Sequence, residues 1–179
     1  MSRPNYYGAA MSAGTYDSQL SSWDHMHCCT ASGGIAQYLV NQMVLRFCAT
    51  LGMELSDWDT FHRQLEGIPR QRKDFFRTRI VDDERAHFRG FASDCLVAMS
   101  IIGLFILLVI PSTARVMDGE IRCFWHMYTI LQILRRGSAA DIPRLMWEVA
   151  QHHLLYIQFF PLCLKPKLHY LYHVPRCWE

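Results

Sequence analysis

A mostly α-helical fold is what this sequence predicts, and three observations predict it. Apolar residues recur at helical spacing at Ile35, Leu39, Met43, Val44, Phe47 and Leu51. A nearly unbroken apolar run at residues 96–110 (LVAMSIIGLFILLVI) reads as a helix, in a core or across a membrane. Gly52, Gly67-Ile68-Pro69, Pro111, Gly137 and Pro161 punctuate the chain where helices end. About five helices are expected, with at most one or two short strands near the N-terminus. Half the 179 residues are apolar, enough for one core, so the expected organisation is a flexible lead-in over 1–20 and a single helix-rich domain over 21–179.

The elements follow in order. Residues 19–23 read as a short extended segment or strand running into Asp24. Ser32-Gly33-Gly34 is a turn, and the helix beginning at Ile35 closes at Gly52. Ser56 is the expected cap of the next helix, with Asp57 and Asp59 near its positive end. Residues 70–89 are the most charged stretch, holding Arg70, Arg72, Lys73, Arg77 and Arg79 before Asp82-Asp83-Glu84-Arg85. It reads as a solvated helix or loop, or else as a phosphate-facing patch, with Phe75 and Phe76 anchoring it to the core or stacking on bases. An apolar helix comes next, and Asp118 to Arg135 then shows helical spacing up to Gly137. Ser138 with Asp141 resembles a capping box, Pro143 suits a first turn, and Pro161 ends that helix. Lys165-Pro166-Lys167 imposes an extended approach to the last segment.

Residues 95–114 carry no charge. A bilayer span needs about 20 apolar residues, whereas about 10–14 suggest a buried core helix. The segment falls between, and the flanking Arg89, Asp94, Arg115 and Asp118 show no one-sided basic excess to set a topology. A core helix and a membrane span both stand at this level. The 18 basic and 16 acidic residues leave a formal charge of +2, which neither favours nor excludes a nucleic-acid partner. Seven cysteines at irregular spacing, with no CxxC pair, point to free thiols in a reducing, intracellular compartment. The first 21 residues hold no continuous apolar stretch, so no ordinary secretory signal is expected.

Two clusters carry chemistry. Asp24-His25-Met26-His27-Cys28-Cys29 mixes carboxylate, imidazole and thiolate. Zinc would need four separated ligands, and adjacent Cys28 and Cys29 do not easily reach one ion. Asp24 at a strand end suits Mg²⁺, which prefers oxygen; two such ions about 3.5–4 Å apart serve in-line phosphodiester displacement. His27, three residues on, shares a face with Asp24 if a helix starts there. Asp24 as a plain helix cap and His27 as a core residue is the competing reading. In the second cluster, His169 and His173 are four apart on one face of a short helix, and Lys165 and Lys167 at its entrance can meet a phosphate. Structural packing competes there too. No Walker or Rossmann phosphate loop is present.

Trp23-Asp24-His25-Met26-His27-Cys28 followed by Gly33-Gly34 resembles the D-x-M-H-x-x-x-x-G block of CACTA-type and related eukaryotic cut-and-paste transposases. His87-Phe88-Arg89-Gly90-Phe91-Ala92 resembles the start of that family's helical insertion, and residues 165–175 (KPKLHYLYHVP) are similar to its P-K-x-H-x-x-x-H-x-P block. The resemblance implies an RNase H-like core and Mg²⁺-dependent DNA strand cleavage and transfer by three acidic residues. Asp24 would be the second catalytic aspartate, or the aspartate of the neighbouring D-x-x-H signature, with His27 as its histidine; Asp24 would hold the metal. Lys165, Lys167, His169 and His173 would contact DNA or support the structure. The family's first aspartate belongs well upstream of Asp24, and its glutamate well beyond residue 175, so Glu179 stands too near to serve. The expectation is a transposase-derived, catalytically incomplete fragment, nuclear if transposase-like. The alternative is a small membrane-anchored helical protein.

Overall fold

Ile35–Leu51 is the first of the described α-helices, α1, and it is buried on nearly every side. Ile35, Ala36, Leu39, Val40, Met43, Val44 and Phe47 are fully sealed, which is wider than one amphipathic stripe. Its neighbours explain this: the π-helical turn Met26–Thr30, α4 (Ala92–Val109) and α5 (Asp118–Arg136) all pack on it. The chain, seen here in a computed structural model, is described over residues 26–68, 71–111 and 115–175. The remaining helices among the described residues are α2 (Leu55–Gln64), α3 (Phe75–Arg79), α6 (Ile142–Phe159) and α7 (Pro166–His173), with 3-10 turns at Ala139–Asp141 and Pro161–Cys163. The fold is mostly α, as expected, and no strand occurs among the described residues. The expected strand at 19–23 lies outside them.

Three buried amides on α1 organise the irregular segment 80–90. Gln37, Asn41 and Gln42 are at most 2% exposed, and burial without partners would cost each of them dearly. Asn41 both accepts from the Val81 N–H (2.8 Å) and donates to its carbonyl (2.9 Å), as a neighbouring strand would. Gln42 donates to the Glu84 carbonyl (2.7 Å), and Gln37 to that of Gly90 (2.8 Å). The segment thereby satisfies backbone groups that no ladder of its own would satisfy.

Several local expectations are corrected. Glu54, not Ser56, is the N-cap of α2; the Asp57 carboxylate accepts from the Glu54 N–H at 2.8 Å, and the helix starts two residues earlier than Ser56 as cap would place it. Asp59 is not at a solvated helix end: it is 2% exposed and accepts from the Phe76 N–H (2.7 Å) and Arg77 (2.9 Å). The extended approach is present at Leu164 and Lys165 but stops there, because Pro166 is already the first residue of α7, in keeping with proline's fixed φ at a helix start. Ser138 and Asp141 frame a 3-10 turn before α6, with Pro143 in the first turn as anticipated. Gly52 and Gly137 close α1 and α5 in the left-handed conformation.

The apolar helix α4 starts at Ala92. Asp94 in its first turn accepts from the Phe91 N–H (3.3 Å) and pairs with Arg79 (3.1 Å), at the end where the helix dipole favours a carboxylate. Cys95, Met99, Ile102, Phe105 and Ile106 are buried, and Phe105 closes on Trp58 with ring centroids 4.4 Å apart. By length and composition α4 could cross a membrane, and close to half of it is buried inside the chain. Its last turn, Leu107, Leu108 and Val109, is exposed. Across the molecule α5 and α6 form the most extensive helix pair, and Arg46 of α1 ties both in place. Its guanidinium pairs with Glu120 (2.8 Å), donates to the Phe159 carbonyl at the end of α6 (2.6 Å) and lies over the Phe160 ring.

Candidate nucleic-acid interface

The described residues of the three blocks that carry the transposase resemblance are far apart in sequence and meet around one end of α1. Gln37 joins the first two: its Oε1 accepts from the Gly33 N–H (2.9 Å) while its Nε2 donates to the Gly90 carbonyl. Lys167 joins the third, donating from Nζ to the Ser32 carbonyl (2.8 Å) across 135 residues of chain. The π turn packs on α7 as well as on α1. Gly34 permits the closest approach, because a Cβ there would overlap the Cys29 backbone carbonyl. Gly33 stands at φ +69°, a conformation that favours glycine.

Tyr38 is the centre of the resulting surface. The His87 ring lies 5.4 Å from the Tyr38 ring centroid to centroid, and Lys165 Nζ stands 5.2 Å above the same ring. Burial first, then Lys167, Arg89 and Lys165 in turn, hold the His87 pKa below the usual imidazole value. The three cations therefore act on one spot. Arg89 is exposed and the two lysines are half-buried, and none of the three has a carboxylate within ion-pair distance among the described residues.

The charged stretch 70–89 behaves differently. Arg77 and Arg79 are engaged with Asp59 and Asp94, and Arg79 also covers the Phe75 ring. Phe75 and Phe76 are fully buried, so they anchor the stretch and are closed to base stacking. Of the two readings of this region, the structural one holds for its aromatic residues, while Lys73, Arg85 and Arg89 are exposed cations without an ion pair among the described residues, and of these Arg89 is the one beside His87.

His169 and His173 do share one exposed face of α7, with their Nε2 atoms 3.0 Å apart. Leu168 and Leu171 are the buried side of the same helix, and His153 of α6 hydrogen-bonds the Leu168 carbonyl through Nε2 (2.6 Å). Asp24, the expected metal-holding carboxylate, lies outside the described residues. His27 is placed by its backbone in the π turn that packs on α7, and its side chain is likewise outside them. Among the described residues no group of three or more His, Cys, Asp or Glu side chains is arranged to hold a metal ion, so no Mg²⁺-dependent step is derived from them. Of the seven cysteines, six are described and are free thiols; Cys177 lies outside. Burial pushes Cys29, Cys95 and Cys123 above the ordinary thiol range, which makes them poor nucleophiles.

Sequence reasoning singled out both lysines and both histidines but not Gln37 and Tyr38, which join the segments here. A signal existed: Gln37 and Asn41 interrupt an apolar stretch of the helix four residues apart, so they share a face of it. Compared with protein-family models, with curated proteins and with solved structures, the chain matches none.

Proposed function

We propose that this chain derives from a transposase-type DNA-processing protein and that its described residues bind the DNA backbone without cleaving it. The observation that carries the reading is the convergence of the described residues of the three resemblance blocks on one surface bearing Arg89, Lys165 and Lys167, none of which has a carboxylate partner among the described residues. Phosphate is the fitting ligand. Lysine and arginine side chains supply the charge, and the half-buried His87 adds a group whose protonation a nearby phosphate would favour. Cleavage is not assigned to the described residues, because the carboxylate that the resemblance makes catalytic, Asp24, is not among them. In that reading Mg²⁺ belongs to a fuller set of acidic residues than these, and the protein works in the nucleus.

The test is salt-dependent binding of a labelled duplex, read by fluorescence anisotropy. Each phosphate contact contributes roughly 0.9 to the slope of log affinity against log salt. Arg89→Ala and Lys165→Ala should each lower that slope by about one, for any duplex sequence. Absence of duplex binding at low salt, or slopes unchanged in both variants, would overturn the DNA-binding reading. Mg²⁺-dependent nicking by the purified chain that disappears in Asp24→Asn would overturn its catalytic half.

A further inference from the structure

His169 and His173 contact each other on the exposed face of α7. Both are exposed, on successive turns of α7, with rings nearly perpendicular (81°), centroids 4.6 Å apart and Nε2 atoms 3.0 Å apart. One Nε2–H must donate to the other Nε2, so the pair holds a single proton between two lone pairs. A metal ion can take that place. Two imidazole nitrogens at about 2.0–2.1 Å from one ion lie roughly 2.9 Å apart at a right angle and about 3.3 Å apart at a tetrahedral angle. The observed separation falls between these values.

We propose that His169 and His173 form a two-imidazole chelate for a first-row transition cation of the zinc and copper class. Imidazole suits these ions, whereas Mg²⁺ prefers oxygen, so the site is distinct from the one the transposase resemblance implies. The histidine whose Nε2–H bridges the pair changes to its Nδ1–H tautomer, both Nε2 lone pairs turn to the ion, and water completes the shell. No net proton is lost from two neutral rings.

The helix is prepared for this before any ion arrives. Pro166 sets its first residue, Leu168 and Leu171 bury its inner side, and His153 tethers its Leu168 carbonyl. The chelate therefore need not order the backbone, which is the main cost of a site built on a loop. His173 is also the last residue of α7, next to the end whose free carbonyls favour a cation. This inference does not depend on DNA binding.

The experiment is calorimetric titration of the full chain with Zn²⁺ alone, beside His169→Gln and His173→Gln. Residues 24–29 contain other ligand types, so the difference between proteins is the readout. Wild type should bind one more equivalent than either variant and gain a Zn²⁺-dependent rise in Tm that both variants lose. With Cu²⁺ as a paramagnetic probe, the spectrum should lose one coordinated imidazole nitrogen in each variant. Both residues are exposed, so metal-free melting should be unchanged, which separates lost binding from lost structure. Equal stoichiometry in wild type and either variant, or no Zn²⁺ binding by wild type, would overturn the chelate.

Discussion

Gln37, Asn41 and Gln42 on α1 and His152 on α6 are all buried polar side chains on otherwise well-packed helices, yet they end differently. Each of the amides finds backbone partners on the segment 80–90 or the turn before α1. His152 is fully sealed, and neither ring nitrogen has a hydrogen-bond partner among the described residues. It packs against Tyr156 at a ring separation of 5.3 Å, with His126 and His153 close enough to disfavour its charge. The neighbouring His126 instead finds the Glu148 carboxylate at 2.6 Å. The difference teaches where position is specified. Paired amides dictate where an irregular segment must run, and Arg89 and His87 lie on that segment. An unpaired imidazole specifies nothing and is tolerated only while neutral.

The largest effect should come from breaking the amide side. Asn41→Leu leaves both polar backbone groups of Val81 without their partner, at about 1–3 kcal/mol each, so a loss of about 3 kcal/mol is expected from denaturant unfolding. The loosened segment should also weaken DNA affinity, although Asn41 lies in the helix and not on the basic surface. Full stability in Asn41→Leu would mean that the paired amides are ornamental, and the contrast with His152 would collapse.

A smaller, pH-dependent effect belongs to His152. Burial first, then His153 and His126, depress its folded-state pKa well below 6.5. Below about pH 6.5 the unfolded chain takes up a proton that the folded chain refuses. Stability is thus intact above that pH and falls as the medium is acidified toward the folded-state pKa, by up to about 1.4 kcal/mol per pH unit. His152→Leu should remove this contribution between pH 6.5 and 5 while leaving stability at pH 8 equal or higher, as pH-resolved melting would reveal. A parallel acid loss in wild type and variant would assign the sensitivity elsewhere.

The smallest effect is expected at the exposed end of α4. Leu108→Arg should change stability by no more than about 0.5 kcal/mol, because the side chain is two-thirds exposed. Carbonate-resistant membrane retention of wild type, lost in Leu108→Arg, would instead favour the membrane-anchored alternative for this helix.

Helix boundaries were legible at Gly52, Gly137, Pro143 and Pro161, because these residues act through the local backbone alone, whereas α2 ends at Gln64, before the Gly67-Ile68-Pro69 expected to stop it. The shared face of His169 and His173 was equally local, following from helical spacing and no distant contact. The cap of α2 was misread because Ser56 is the better intrinsic cap, while the actual start rests on a carboxylate–amide bond from Asp57 to Glu54.

By itself, then, the sequence determined a mostly helical chain, its principal turns, and two clusters rich in imidazole and charge. Only the tertiary structure decided which charges are engaged and which remain available. Arg77, Arg79 and Arg89 look alike in one charged stretch, but Asp59 and Asp94 neutralise the first two and leave the third. That assignment depends on carboxylates brought from α2 and α4, and spacing along one segment holds no information about side chains that reach it from another. The meeting of Ser32, Gly90 and Lys167 around Gln37 and Tyr38 has the same origin: long-range packing of α1 against the rest of the chain.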